Sequence, residues 1–413
     1  MLAFDQPVAF HIMIKPYGPV CNLNCTYCYY LEKQKLYPKT RNFRMDDQVL
    51  ELFIRQFFDS QDVPVVTFTW QGGEPTMMGL EFFKKAVQLQ RKYGKGKKIE
   101  NAFQTNGTLI DAEWCRFFHD NNFLVGISID GPKEIHDRHR LNKAGAASFN
   151  QVIRAIDLMK RHRVEFNTLT VVHRHNAAHA LEIYNFLKNT GSGFIQFIPI
   201  VERERIEATE DELRLVGPEY LTSTAVTPWS VEPVEYGKFL ITIFDEWVRY
   251  DVGRIFVQLF DVTLANWVGK PAGLCVFNET CGNAMVLEHN GDLYSCDHFV
   301  YPRNLLGNIK NISIMSMAQS AQQYTFGQDK LLKLPAYCIN CEYRFACHGE
   351  CPKHRFETTP DGERGLNYLC RAYKQFFSYV HPYMQYMGDE LTARRAPANV
   401  MEWARKYKRF GGG

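Results

Sequence analysis

From Ala9 to about Val201 the chain alternates between short apolar runs and longer stretches whose apolar positions recur every three or four residues. The runs Val8–Ile14, Val65–Trp70, Ile99–Gln104, Leu124–Ile129, Phe166–Val172 and Phe194–Ile200 read as buried strands. Between them, Asp46–Phe58, Gly79–Tyr93, Asp111–Asn121, Phe149–His162 and Ala177–Leu187 read as amphipathic helices. Met45-Asp46-Asp47 and Ile110-Asp111-Ala112-Glu113 place acids in first turns, where the helix dipole favours them. Strands alternating with helices of this length predict repeated βα units and a parallel sheet. Six units before the pattern breaks predict an open, partial (β/α)6 barrel, not a closed eight-stranded one.

From Val201 to Pro233 the periodicity dissolves into charged, Pro-containing sequence that reads as a connection or insertion. Helical spacing returns at Tyr236–Tyr250 and, less clearly, at Phe256–Val268. From Gly273 to near Tyr386 the chain is cysteine-rich, with short runs and many turn residues, as expected where metal replaces a hydrophobic core. The last stretch is helical in composition over Ala398–Tyr407 and closes in Gly411-Gly412-Gly413. The expected α/β organisation is a barrel over 1–235, a helical connection over 236–272, a cysteine-rich domain over 273–386 and a tail over 387–413.

Composition narrows the classes. With 413 residues, 46% hydrophobic, the chain can bury a large core and favours more than one domain. A formal charge of +3 gives no electrostatic case for nucleic acid or an anionic membrane. Met1 to Ile14 has no Lys or Arg and so lacks the basic start of a secretory signal, and nothing approaches a membrane span, so the expected location is the cytoplasm. In that reducing compartment, twelve cysteines are more informative as ligands than as disulfides.

Cys21, Cys25 and Cys28 form a C-x3-C-x2-C motif in the loop after the first strand, the position where parallel-sheet folds bind ligands. A cubane iron–sulfur cluster takes four thiolates, so three leave one iron open to the amine and carboxylate of S-adenosylmethionine. An electron passed through that iron breaks a C–S bond and releases a 5′-deoxyadenosyl radical. A zinc knuckle or three core cysteines are the bland alternatives, although zinc prefers four ligands at other spacings. The second strand runs into Gln71-Gly72-Gly73-Glu74-Pro75, whose glycines expose backbone and admit close approach.

Eight further cysteines follow residue 270: Cys275, Cys281, Cys296, Cys338, Cys341, Cys347, Cys351 and Cys370. They would complete two four-cysteine clusters with none over. Cys338-x2-Cys341 with Cys347-x3-Cys351 suits a zinc ribbon equally well by spacing. Cys115 has no neighbouring cysteine and reads as a core thiol.

Together, the cysteine loop and the glycine motif resemble the radical S-adenosylmethionine superfamily, and Cys338 to Cys370 resembles the SPASM extension of its peptide-modifying members. Phe103-Gln-Thr-Asn-Gly-Thr-Leu-Ile110, Ile127-Ser-Ile-Asp-Gly-Pro-Lys-Glu-Ile-His136 and Gly291-Asp-Leu-Tyr-Ser-Cys-Asp297 resemble the anaerobic sulfatase-maturating enzymes over roughly residues 9–385. That resemblance implies three [4Fe-4S] clusters and S-adenosyl-L-methionine. One auxiliary cluster falls to Cys275, Cys281, Cys296 and Cys351, the other to Cys338, Cys341, Cys347 and Cys370. It implies Tyr27, Gly73, Ser128, Arg140 and Val201 as S-adenosylmethionine contacts, with Arg140 toward the methionyl carboxylate, and Asp297 as general base. Gln71, Gln104 and Asn106 are expected on the same face as substrate contacts.

The expected activity is oxidation of a Cys or Ser in a sulfatase polypeptide, within a Cys/Ser-x-Pro-x-Arg motif, to Cα-formylglycine. A low-potential donor such as flavodoxin or ferredoxin would supply the electron. Two rivals remain open: a SPASM enzyme that forms thioether or other cross-links in a ribosomal peptide, and a non-catalytic, zinc-organised binding protein.

Overall fold

The computed structural model describes residues 9–406 apart from 211 and 221. Val8, Tyr407 and Gly411–Gly413 of the expected elements lie outside the described residues. The alternating half forms β1 (His11–Lys15), β2 (Val65–Trp70), β3 (Lys98–Thr105), β4 (Phe123–Ser128), β5 (Phe166–Val172) and β6 (Phe194–Pro199). Between them run α1 (Asp47–Asp59), α2 (Leu80–Tyr93), α3 (Ala112–Asp120), the short α4 (Lys133–His136), α5 (Phe149–Arg161) and α6 (Ala180–Asn189). The acids read as helix starts are caps: Asp46 accepts from the Val49 N–H at 2.7 Å, and Asp111 from those of Glu113 and Trp114 at 2.9 and 3.0 Å.

The remaining chain holds β7 (Arg203–Arg205), β8 (Leu215–Val216), β9 (Thr224–Val226), β10 (Phe256–Val257), β11 (Ala284–Glu288), β12 (Asp292–Tyr294) and β13 (Leu305–Asn308). Its helices are α7 (Pro233–Tyr250), α8 (Gln258–Trp267), α9 (Ile314–Ala318), α10 (Ala321–Leu332), α11 (Ala336–Ile339), α12 (Arg344–Cys347) and α13 (Cys370–Thr392). The expected break at 386 falls inside α13, which runs on to Thr392, and of the helical stretch expected from Ala398 only Val400–Ala404 forms an α-helix among the described residues.

Six parallel strands are present as expected, but they do not close the sheet. Its order is β10-β6-β5-β4-β3-β2-β1-β11-β12-β13. β11 pairs parallel to β1, Lys15 standing opposite Glu288, and β12 and β13 continue antiparallel. The cysteine-rich half is therefore built onto the edge of the barrel strand that carries the first cysteine loop. One apolar cluster spans both halves, from Phe10 to Ala404. The 201–233 stretch folds as the separate sheet β8-β7-β9, held against the Leu31–Leu36 turn by Glu32, which accepts from the N–H groups of Arg214 and Leu215 at 2.9 Å each. Among the described residues no helix is long and apolar enough to cross a membrane.

Candidate active site at the carboxyl ends of the strands

The loop after β1 is strapped to the turn after β2 by main-chain bonds. Gln71 N–H donates to the Ile14 carbonyl, Gly73 N–H to Gly18 and Glu74 N–H to Val20, at 2.8–3.0 Å. A Cβ on Gly73 would lie 1.9 Å from the Val20 carbonyl oxygen. Glycine is thus demanded there by the cysteine loop itself, beyond any approach by a ligand.

Glu74, which pattern reading passed over, anchors this junction. Its Oε1 accepts from Thr76 N–H (3.0 Å), Thr76 Oγ1 (2.6 Å) and Thr105 Oγ1 (2.7 Å), and its Oε2 from the Asn106 N–H (2.7 Å). Asn106 in turn donates from Nδ2 to Asn22 Oδ1 at 2.9 Å and contacts Cys21 Sγ at 3.6 Å. Asn106, expected as a substrate contact, is engaged in holding the loop. A carboxylate set one residue after two glycines was the available signal for Glu74.

Past the end of β4, Asp130 is fully buried and gathers three segments. Arg140 donates to it from Nε (2.9 Å) and Nη2 (3.1 Å), the Tyr27 hydroxyl at 2.5 Å and the Val171 N–H at 3.1 Å. Burial opposes its charge, but the Arg140 guanidinium more than offsets this and holds Asp130 at about 2. The Arg140 fork expected to face a ligand carboxylate is therefore committed to Asp130, leaving only its other edge. Ser128, at the end of β4, accepts from Gln104 Nε2 at 3.1 Å, and Val201 is buried just beyond β6. Tyr27, Gly73, Ser128, Arg140 and Val201 all sit at or beyond strand carboxyl ends.

None of the twelve cysteines is paired in a disulfide. Their mutual electrostatics sort eleven of them into three groups. Cys25 is pushed up to about 12, first by burial and then, against Arg140, by Cys28 and Cys21. Cys296 rises by burial, then through Cys275 and Cys281, and Cys351 by burial, then through Glu350, Cys296 and Cys281. Cys347 reaches about 12 by burial, Cys370 and Cys338, and Cys370 about 11 by burial, Cys338 and Cys341. Cys351 thus lies within electrostatic reach of Cys296 and Cys281, and Cys347 and Cys370 within reach of Cys338. Buried thiols clustered like this carry no compensating charge of their own, and a thiophilic metal centre supplies it, so the donor sets fit iron–sulfur clusters. Lys330 and Arg355 lie among them: Lys330 donates to the carbonyls of Cys275 and Val276 at 2.8 and 2.9 Å, and Arg355 acts electrostatically on Cys338 and Cys351 alike. Cys115 is buried in the barrel core, its thiol pushed up to about 11 by burial.

Asp297 lies next to Cys296 and faces the first loop. Lys15, from the end of β1, pairs with its Oδ1, and the hydroxyl of Tyr29, the residue after Cys28, donates to its Oδ2. Lys15 is 1% exposed, with Nζ 3.3 Å from the Tyr30 ring centroid. Burial pushes the Asp297 carboxyl up and Lys15 more than reverses it, so the group is held ionised. Sequence reading missed Lys15 and Tyr29. A lysine ending an apolar strand was the signal for the first, because a buried ammonium needs a partner.

The Radical SAM superfamily model matches residues 16–187, and that of SPASM, an iron–sulfur cluster-binding domain, matches 275–342. Fold and site thus define a radical S-adenosylmethionine protein with a C-terminal iron–sulfur extension. The chain is 51% identical, over 97% of its length and 95% of the relative's, to a serine-type anaerobic sulfatase-maturating enzyme of Bacteroides thetaiotaomicron. It is 35% identical, over 90% of its length and 96% of the relative's, to a cysteine-type enzyme of Clostridium perfringens. The chain belongs to the anaerobic sulfatase-maturating enzymes. Among solved structures, native anSMEcpe with bound AdoMet and Cp18Cys peptide superposes with a TM-score of 0.80 at 34% identity, covering 92% of this chain and 99% of that one. Streptococcus suis SuiB shares the fold, with a TM-score of 0.58 at 13% identity over 86% of this chain and 76% of its own.

Proposed function

We propose that this chain oxidises a serine or cysteine of a sulfatase polypeptide, presented in a Cys/Ser-x-Pro-x-Arg motif, to Cα-formylglycine. The observation that carries the reading is Asp297: a half-buried, ionised carboxylate one residue from an auxiliary thiol and hydrogen-bonded to the residue after Cys28. Family membership and the peptide-bound relative support it.

On this reading Cys21, Cys25 and Cys28 hold the cluster that works with S-adenosylmethionine, and the two sets of four hold the auxiliary clusters. When bound, these groups supply hydrogen-atom abstraction from the substrate Cβ and an acceptor for the electron left behind. Tyr27, Gly73, Ser128, Arg140 and Val201 bind the cofactor. Asp297 takes the hydroxyl or thiol proton, so that oxidation of the carbon by two electrons is balanced by one hydrogen atom, one proton and one electron lost. Serine then gives the aldehyde directly, whereas cysteine gives a thioaldehyde that water hydrolyses. Lys15 and Tyr29 orient Asp297 and keep it charged before the proton arrives. A flavodoxin or ferredoxin is the electron donor, and the cytoplasm the site of action.

Reduced, iron-loaded enzyme incubated with S-adenosylmethionine and a serine or cysteine motif peptide is expected to yield an aldehyde that hydrazine traps. Asp297→Asn is expected to keep cofactor cleavage and lose the aldehyde. A thioether product, or no aldehyde from either peptide, overturns the reading. About twelve irons per chain and brown absorbance exclude a zinc-organised binding protein.

A further inference from the structure

Three histidines outside the chemistry above converge beside the first cysteine loop. His139 follows α4, and His173 and His175 follow β5. His139 Nε2 and His175 Nδ1 are 3.0 Å apart, and one ring nitrogen from each of the three lies within 4.8 Å of the others. We infer that His139, His173 and His175 form a binding site for a divalent late transition metal, with Zn2+ the ion the site suits.

The geometry is near that of a ligated ion. Tetrahedral zinc with Zn–N bonds of about 2.0–2.1 Å holds two ligand nitrogens about 3.3 Å apart. The His139–His175 pair already stands close to this spacing, and the third nitrogen closes on them by at most about 1.5 Å. His139 Nδ1 lies 2.5 Å from Thr26 Oγ1, which accepts when Nδ1 carries the proton and so leaves the Nε2 lone pair for the metal, as outer partners of zinc-bound histidines do. His173 is fully buried, and its Nε2 has no hydrogen-bond partner. Its Nδ1 accepts a long 3.2 Å bond from the His175 N–H. Ligation through Nε2 exchanges that weak bond for a metal–nitrogen bond.

The electrostatics are compatible. Burial, with help from neighbouring cations, lowers His139 to about 4 and His173 to about 3, and lowers His175 as well, so all three are the neutral imidazoles a metal requires. Asp130 acts on His139 against Arg138 and Arg140 and on His173 against Arg140, while Arg138 and Arg174 act on His175. His175 is partly exposed, so water completes the shell and ions have a way in. The bound ion ties the end of β5 to the segment after α4 and, through Thr26, to the loop between Cys25 and Cys28.

The test uses iron-loaded enzyme, stripped of loose metal with a chelator, titrated with zinc chloride and desalted. One zinc per chain is expected by elemental analysis, with X-ray absorption at the zinc edge showing imidazole nitrogen at about 2.0–2.1 Å. His175→Ala, a change at a partly exposed position, is expected to weaken zinc binding about tenfold or more while leaving the iron content unchanged. His179→Ala, at an exposed histidine on the following turn, is expected to bind zinc as the parent does. Equal zinc in the parent and His175→Ala overturns the site. So does sulfur scattering near about 2.3 Å, which would place zinc in the cysteine sets, or failure of the parent to retain zinc.

Discussion

Replacing Glu74 by Gln tests whether the glycine motif works mainly as a brace for the cysteine loop. With the amide oxygen in the place of Oε1, the bonds from Thr76 N–H, Thr76 Oγ1 and Thr105 Oγ1 persist. The amide nitrogen then faces the Asn106 N–H, which had donated to Oε2 at 2.7 Å, and two donors meet. A lost hydrogen bond to a charged acceptor, with a buried N–H left unpaired, costs about 1.5–3 kcal/mol. Burial also raises the Glu74 pKa, so removing its charge returns part of this and leaves a net cost of about 2 kcal/mol. For 413 residues the unfolding entropy is about 0.9 kcal/mol per kelvin, so the melting temperature falls by about 2 °C. The local effect is larger, because Asn106 is the residue that holds Asn22 and touches Cys21. Iron from the first cluster is expected to pass to a chelator faster than iron from the other eight cysteines. Calorimetry at one scan rate, with anaerobic chelator kinetics, reads both. An unchanged melting temperature together with parent-like iron release would refute the reasoning.

Lys15→Met leaves Asp297 a half-buried charge held only by the Tyr29 hydroxyl, a loss of about 1–3 kcal/mol, less than for a fully buried pair because the carboxylate keeps that bond and some solvent. The ratio of aldehyde to 5′-deoxyadenosine, measured by chromatography, is expected to collapse, and an unchanged ratio counts against Lys15 as a positioning residue. Asp261, raised from 3.8 to about 7 by burial, binds its proton more tightly in the folded state. Its contribution to stability is full below about pH 4 and is lost as pH rises to 7. Asp261→Asn is therefore expected to leave the urea midpoint unchanged at pH 4 and raise it at pH 8. The pKa difference corresponds to at most about 4 kcal/mol, reduced to about 1–2 kcal/mol for a partly exposed side chain. Cys115→Ala is expected to cost about 1–2 kcal/mol through a small cavity and to leave the iron content intact. Loss of iron in that variant would make Cys115 a ligand.

The barrel was legible because its strands and helices obey local periods. Val65–Trp70 and Phe166–Val172 are found as read, and most other boundaries shift by a residue or two. β11 to β13 carry no comparable signal: Ala284–Glu288 is five residues long and is recognisable as a strand only once β1 lies beside it. The 201–233 sheet escaped for the same reason, since β8 has two residues and its register is set by β7. Cysteine spacing marked the candidate ligands, and the family likeness implied their interleaving. The partners of Asp297 come from β1 and the first loop, at sequence separations no local pattern encodes. Arg140 shows the opposite limit: the family likeness implied a ligand contact, and no local pattern showed that a buried carboxylate ten residues away also draws on its fork.

The pairing of β1 with β11 also sets a timetable for biosynthesis. His11 stands opposite Ala284, 284 − 11 = 273 residues later. At about 5–20 residues per second, a ribosome needs about 14–55 s to deliver the second partner after the first. Throughout that interval the strand carrying the first cysteines presents an unpaired edge, the kind of template on which nascent chains associate wrongly. Faster synthesis shortens the window but raises the concentration of exposed edges, so yield should favour low expression temperature and chaperone supply. A version truncated before Ala284 would keep that edge open permanently, and the radical-generating half is accordingly not a detachable module.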